Sequence, residues 1–73
     1  MGEPSTLSSV ERALALLEML SREDGGLSLT QLAERLQAGK ATVFRLTTTL
    51  AECGWISKGE DLRYSLGPTA LSL

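Results

Sequence analysis

Two runs of apolar residues at helical spacing, separated by only three residues, constrain this chain more than any other feature. In "SLTQLAERL", Leu29, Leu32, Ala33 and Leu36 form one apolar stripe, and Ser28 and Gln31 have the spacing of a capping box. Thr30, Gln31, Glu34 and Arg35 then face outward. After the link "QAG", a second pattern runs from about Lys40 to Cys53, and Gly54 is placed to end it in a left-handed conformation. Its buried stripe is Val43, Leu46, Thr47 and Leu50. The opposite face carries Ala41, Arg45, Thr48 and Glu52, with Phe44 on one flank and Thr42 and Thr49 on the other.

Upstream, "SSVERALALLEMLSRE" reads as a further helix, with Ser8 or Ser9 as its cap and "EDGG" as its end. Val10, Ala13, Leu14, Leu17 and Leu20 recur at helical spacing and define its apolar face. Leu16 and Met19 fall away from that face, and a helix with a single buried stripe has no use for them. They point, with Arg12, to contact with a second copy of the chain. Downstream, "WISK", "GED" and "LRYSL" are two strand-like runs around a glycine-containing turn, a β-hairpin. Alternation puts Ile56 on one face of its strand and Leu62, Tyr64 and Leu66 on one face of the other, so that the hairpin can pack on the helices; Trp55, Ile56 and Tyr64 read as core. Cys53 reads as a small apolar filler. "GP" breaks the strand and "TALSL" begins another helix.

Two helices joined by a short turn and followed by a hairpin make a winged helix-turn-helix. The fold class expected is therefore mainly α with a small β-hairpin: three helices plus a two-stranded wing. In that motif the second helix of the pair enters the DNA major groove while the wing reaches the neighbouring backbone or minor groove. Charge distribution agrees better than total charge does. Net charge is −2, yet residues 35–51 carry Arg35, Lys40 and Arg45 with no acid, a local charge of +3. Residues 1–34 set six acids against Arg12 and Arg22, a local charge of −4. One segment is positive and its surroundings are not. Threonines are poor helix formers, so "TTT" in a basic helix fits a face selected for a ligand. Arg45 suits guanine O6 and N7. Threonine hydroxyls suit bases or phosphates, and Phe44 or the threonine methyls suit a thymine methyl. Lys40, Arg35 and, on the wing, Lys58 and Arg63 are the candidate phosphate contacts.

The remaining composition excludes other functions. Cys53 is the single cysteine and there is no histidine, which rules out an internal disulfide and leaves a metal site or an activated nucleophile without its usual ligands and base. No enzyme and no cofactor are expected. No apolar run nears the ~20 residues that span a membrane, and "MGEPSTLSSV" lacks the pattern of a signal peptide, so a cytoplasmic protein without a membrane partner is expected.

"SVERALALLEMLSRE", "LSLTQLAERL", "KATVFRLTTTLAECGWI" and "RYSLGP", in that order and spacing, resemble the N-terminal DNA-binding domain of the IclR family of bacterial transcriptional regulators. The resemblance covers roughly residues 8 to 73. It implies a homodimeric repressor or activator on a palindromic operator, in which Lys40, Thr42, Phe44 and Arg45 match the DNA-facing positions. It implies a division into a flexible tail (1–7), a winged helix-turn-helix (8–67) and the start of a linker helix (68–73). That linker leads to a small-molecule effector domain absent from this chain. Two departures stand out: Gln37, Ala38 and Gly39 replace the family's usual Gly, Leu and Pro, and Thr47 replaces a buried leucine. The alternative function is a winged-helix module for protein contact.

Overall fold

Serine starts two of the helices in the same way. The Ser8 hydroxyl accepts from the Glu11 N–H at 3.1 Å while the Glu11 carboxylate accepts from the Ser8 N–H at 3.0 Å, and helix α1 (Ser9–Ser21) follows. Ser28 and Gln31 repeat the exchange at 3.2 and 2.9 Å and start α2 (Leu29–Leu36). The computed structural model describes residues 8–73; the tail expected over residues 1–7 lies outside the described residues. Helix α3 spans Lys40–Glu52, and Gly54 ends it with φ +83°, its N–H donating to Ala51 O and that of Trp55 to Leu50 O. Strands β2 (Ile56–Lys58) and β3 (Arg63–Leu66) form the hairpin, and a single turn of helix, α4 (Pro68–Leu71), opens on the proline where "TALSL" suggests a helix.

The sheet has a third strand that the sequence does not announce. Leu27–Ser28 (β1) pairs antiparallel with β3, Leu27 opposite Tyr64 and Ser28 opposite Arg63, giving the order β1-β3-β2. Two residues are too few for alternation to register. Their entry depends on Gly26, whose φ is +79° and where a Cβ would fall 2.5 Å from Tyr64 O. The wing is therefore fastened to the segment that leads into α2.

The buried cluster comprises Leu16, Leu20, Leu27, Leu32, Ala33, Leu36, Val43, Ile56 and Tyr64. For α2 this is the stripe read from the sequence, with Leu29 packed at its edge. In α3, Val43 and Thr47 are buried, while Leu46 and Leu50 are half-buried. Thr47 is accommodated by hydrogen bonding: its hydroxyl donates to Phe44 O at 2.9 Å and lies 3.5 Å from the Tyr64 hydroxyl. Trp55 packs against the core without entering it.

Helix α1 is turned relative to the expectation. Leu16 is 0% exposed and Leu20 3%, whereas Val10 and Leu14, expected inside, are 68% and 56% exposed. Met19 packs against the core cluster. The physical reason is the width of the apolar arc: from Met19 through Leu16, Leu20, Ala13, Leu17 and Val10 to Leu14 it sweeps about 220°, far more than one face. Such an arc has two possible centres, and packing on α2 and β3 selects Leu16. Leu16 is consequently closed to a second copy, and Met19 is half-buried beside it. Two further expectations fail locally. Cys53 caps α3 in an exposed position and is no filler. Leu62 leaves the strand face it was assigned and sits exposed in the hairpin turn, φ +65°.

The turn between α2 and α3 closes without a glycine at its left-handed position. Gln37 adopts the left-handed conformation, φ 54°, and the Ala38 N–H donates to Ala33 O at 3.1 Å. A side chain in that region is disfavoured by roughly 1 kcal/mol, so Gln37→Gly is expected to stabilise the domain by about 0.5–1 kcal/mol in urea unfolding. Leu16→Ala is expected to cost about 3 kcal/mol, against about 1 kcal/mol or less for Leu14→Ala. Equal losses in the same unfolding series would put the helix face where the sequence first placed it.

Candidate nucleic-acid interface

Burial of Val43 and Thr47 fixes which way α3 faces. With that stripe against the core, Lys40, Ala41, Thr42, Phe44, Arg45 and Thr48 are all exposed. The structure thus brings six of the nine candidate DNA-contact residues onto the surface of a single helix. Its N-terminus is open as well. Gly39 caps α3 without a side-chain acceptor, so the amides of the first turn are free to meet an anionic oxygen, beside the ammonium of Lys40.

Lys58 and Arg63 are exposed on the wing. The Lys58 Nζ stands 5.5 Å above the centroid of the Tyr64 ring, a cation–π contact that holds the ammonium over the face of the sheet. Arg63 is anchored through its backbone, whose N–H donates to Asp61 Oδ1 at 3.1 Å. Arg35 is differently placed: its guanidinium pairs with Glu23 at 3.1 Å, across the turn that follows α1. Both side chains are well exposed, so this pair contributes little to stability.

A groove opens between α3 and the wing, lined by Thr30, Phe44, Lys58, Leu62 and Tyr64 among others. Sequence reasoning found Phe44 and Lys58 but missed Thr30 and Leu62 as groove residues. Thr30 was placed outward on α2 without a role, and Leu62 was assigned to the strand face shared with Tyr64 and Leu66. The only available signal was that a leucine directly follows the acidic pair of the hairpin turn.

A second groove lies on another face. Val10, Ala13, Leu14, Leu17, Leu50 and Trp55 line it, so it joins α1 to the end of α3. Arg12 is half-buried, one turn before Leu16, and does not line it. Among the described residues no cluster of three potential metal ligands occurs. No helix among them is long and apolar enough to cross a membrane.

A helix pair whose second helix carries no acid before its last residue, Glu52, and an adjoining three-stranded sheet define the class: the winged helix-turn-helix domains of transcriptional regulators. Within that class the chain belongs to the IclR family, whose helix-turn-helix domain matches residues 9–60. It is 32% identical over 65 residues to the HTH-type transcriptional regulator KdgR of Dickeya chrysanthemi, covering 88% of this chain and 21% of that protein. Against the HTH-type transcriptional regulator BhcR of Paracoccus denitrificans it is 35% identical over 65 residues, covering 88% of this chain and 23% of that one. The chain therefore spans less than a quarter of the length of these relatives. Among solved structures, the IclR transcriptional regulator from Alicyclobacillus acidocaldarius superposes with a TM-score of 0.83 at 36% identity, over 92% of this chain and 28% of the other.

Proposed function

We propose that this domain binds duplex DNA sequence-specifically, as a homodimer on a palindromic operator, and is the DNA-reading part of a longer transcriptional regulator. The observation that carries the reading is the exposed, acid-free face of α3 from Lys40 to Thr48 in a chain of net charge −2. Helix α3 enters the major groove. Lys40 and the open first turn take phosphates, as do Lys58 and Arg63, and Arg35 joins them by exchanging Glu23 for a phosphate. Arg45 presents two donors to guanine O6 and N7. Ala41, Thr42, Thr48 and Phe44 fill the groove around it and meet thymine methyls. We place this activity in the cytoplasm, with the DNA. Response to a small molecule belongs to a domain beyond residue 73.

The second copy docks on the groove of Val10, Leu14, Leu17, Leu50 and Trp55. Val10 and Leu14 expose apolar surface there that no described residue covers, and the two-fold pairing of such a face sets two α3 helices about one helical turn of DNA, or a multiple of it, apart. The same groove favours the second reading, a winged helix that grips another protein. Binding selection from a random duplex pool with the 73-residue chain separates the two: an enriched palindrome supports the first, and a folded sample that enriches nothing supports the second.

Arg45→Ala is expected to lose about 1–3 kcal/mol per half-site on the selected operator and to relax specificity. Lys40→Ala should weaken operator and random duplex alike and lower the log–log salt slope by about 1. Equal losses on both DNAs for the Arg45 variant would remove it from base reading. Sedimentation should show the parent associating at micromolar concentration and Leu14→Glu remaining monomeric, with unchanged circular dichroism. A parent that stays monomeric at hundreds of micromolar would contradict this dimer face.

A further inference from the structure

The wing turn places a leucine where the backbone favours glycine. The Leu62 N–H donates to Gly59 O at 3.0 Å and the Gly59 N–H donates to Arg63 O at 2.8 Å, so Glu60 and Asp61 form the corner and Leu62 takes the left-handed closing position at φ +65°. That conformation disfavours a bulky L-residue. The side chain recovers nothing from packing, since it is 64% exposed. A residue unfavourable in both backbone and exposure is the kind of exception that functional surfaces contain.

Its neighbours indicate what it meets. Leu62 and Phe44, the latter 51% exposed, both line the groove of about 280 Å³ between the wing and α3. Thr30, in the first turn of α2, and Lys58 line it with them. When α3 lies in the major groove and the wing reaches toward the adjacent backbone, one DNA strand runs between them, past this groove. Charge alone gives the wing a weak hold on that strand, because the phosphate contacts of Lys58 and Arg63 are offset by Glu60 and Asp61. What the wing offers is apolar surface, and the deoxyribose rings are the apolar part of the strand.

Resting on the DNA-binding reading above, we propose that Leu62 is a DNA-contacting residue of the wing, which with Phe44 forms an apolar cleft that packs on the deoxyribose face of the strand between α3 and the wing. Thr30 and Lys58 receive the flanking phosphates. Because the Leu62 contact displaces no counterions, it contributes affinity that does not depend on salt.

The test uses the 73-residue chain and the duplex selected from the random pool, titrated at several salt concentrations. Leu62→Gly relieves the backbone, so its melting temperature should rise by about 4 °C. Its Kd should nevertheless increase about tenfold at every salt concentration, with the log–log slope unchanged. Leu62→Asn, which also tolerates the left-handed region, should show the same loss. Phe44→Ala should cost less in the Leu62→Gly background than alone, because the two side chains act on one sugar. Unchanged affinity in both Leu62 variants, beside a parent that binds, would overturn the Leu62 contact alone. A loss accompanied by a shallower salt slope would also overturn it, since the contact would then be ionic. A parent that binds no duplex would overturn the DNA-binding reading and this inference with it.

Discussion

Everything the domain presents to a partner depends on how α3 is seated. Val43 and Thr47 are the two residues of that helix driven fully inside, and Thr47 is the less expected of them because its hydroxyl must be satisfied there. The Phe44 carbonyl and the Tyr64 hydroxyl do this. The arrangement ties the recognition helix to the wing: Thr47 sits on α3, Tyr64 on the central strand of the sheet, and Tyr64 in turn supports Lys58. A leucine at position 47 would fill space more strongly, but it would leave the Tyr64 hydroxyl without this neighbour. The polar residue exchanges some apolar burial for a polar neighbour of the Tyr64 hydroxyl, 3.5 Å away.

Legibility in the sequence followed the sharpness of each local signal. Helix α2 was readable because its four apolar residues occupy a narrow arc and its capping box is explicit. Helix α3 was readable because Gly54 marks its end and the acid-free stretch marks its outer face. Helix α1 was legible in extent and illegible in orientation, since an apolar arc of about 220° has no unique centre. Only tertiary packing chooses between Leu16 and Leu14. Strand β1 was invisible because two residues have no period, and its existence rests on the close approach of Gly26 to Tyr64. Leu62 was misassigned because strict alternation was carried one residue past the true end of β3 into a turn with its own geometry.

The candidate site was legible in identity more than in arrangement. Lys40, Thr42, Phe44, Arg45 and Thr48 all emerge on the surface expected of them. What no residue count could supply is the groove between α3 and the wing, because it is assembled from positions 30, 44, 58, 62 and 64 on α2, α3, β2, the hairpin turn and β3. The pairing of Arg35 with Glu23 was equally hidden: twelve residues of chain separate them, and the turn after α1 brings them together.

The net negative charge is less of an obstacle to DNA binding than it looks, because the scale of screening is smaller than the domain. The molecule extends 39 × 26 × 21 Å, while charges in physiological salt are felt over roughly 8 Å. Acids more than a few such lengths from a bound strand would therefore contribute little, and a cation such as Lys40 would act on a phosphate near it almost independently of the total. The cost appears elsewhere. A domain with so few cations releases few counterions, so its non-specific affinity is low and its complexes must draw on contacts that salt does not weaken. In the function proposed above, base-edge hydrogen bonds from Arg45, apolar contact from Phe44 and the wing, and the doubling of both in a two-fold pair would be such contacts. Weak electrostatics and a strained, exposed leucine are then two parts of one arrangement, in which discrimination among sequences gains what general attraction to DNA gives up.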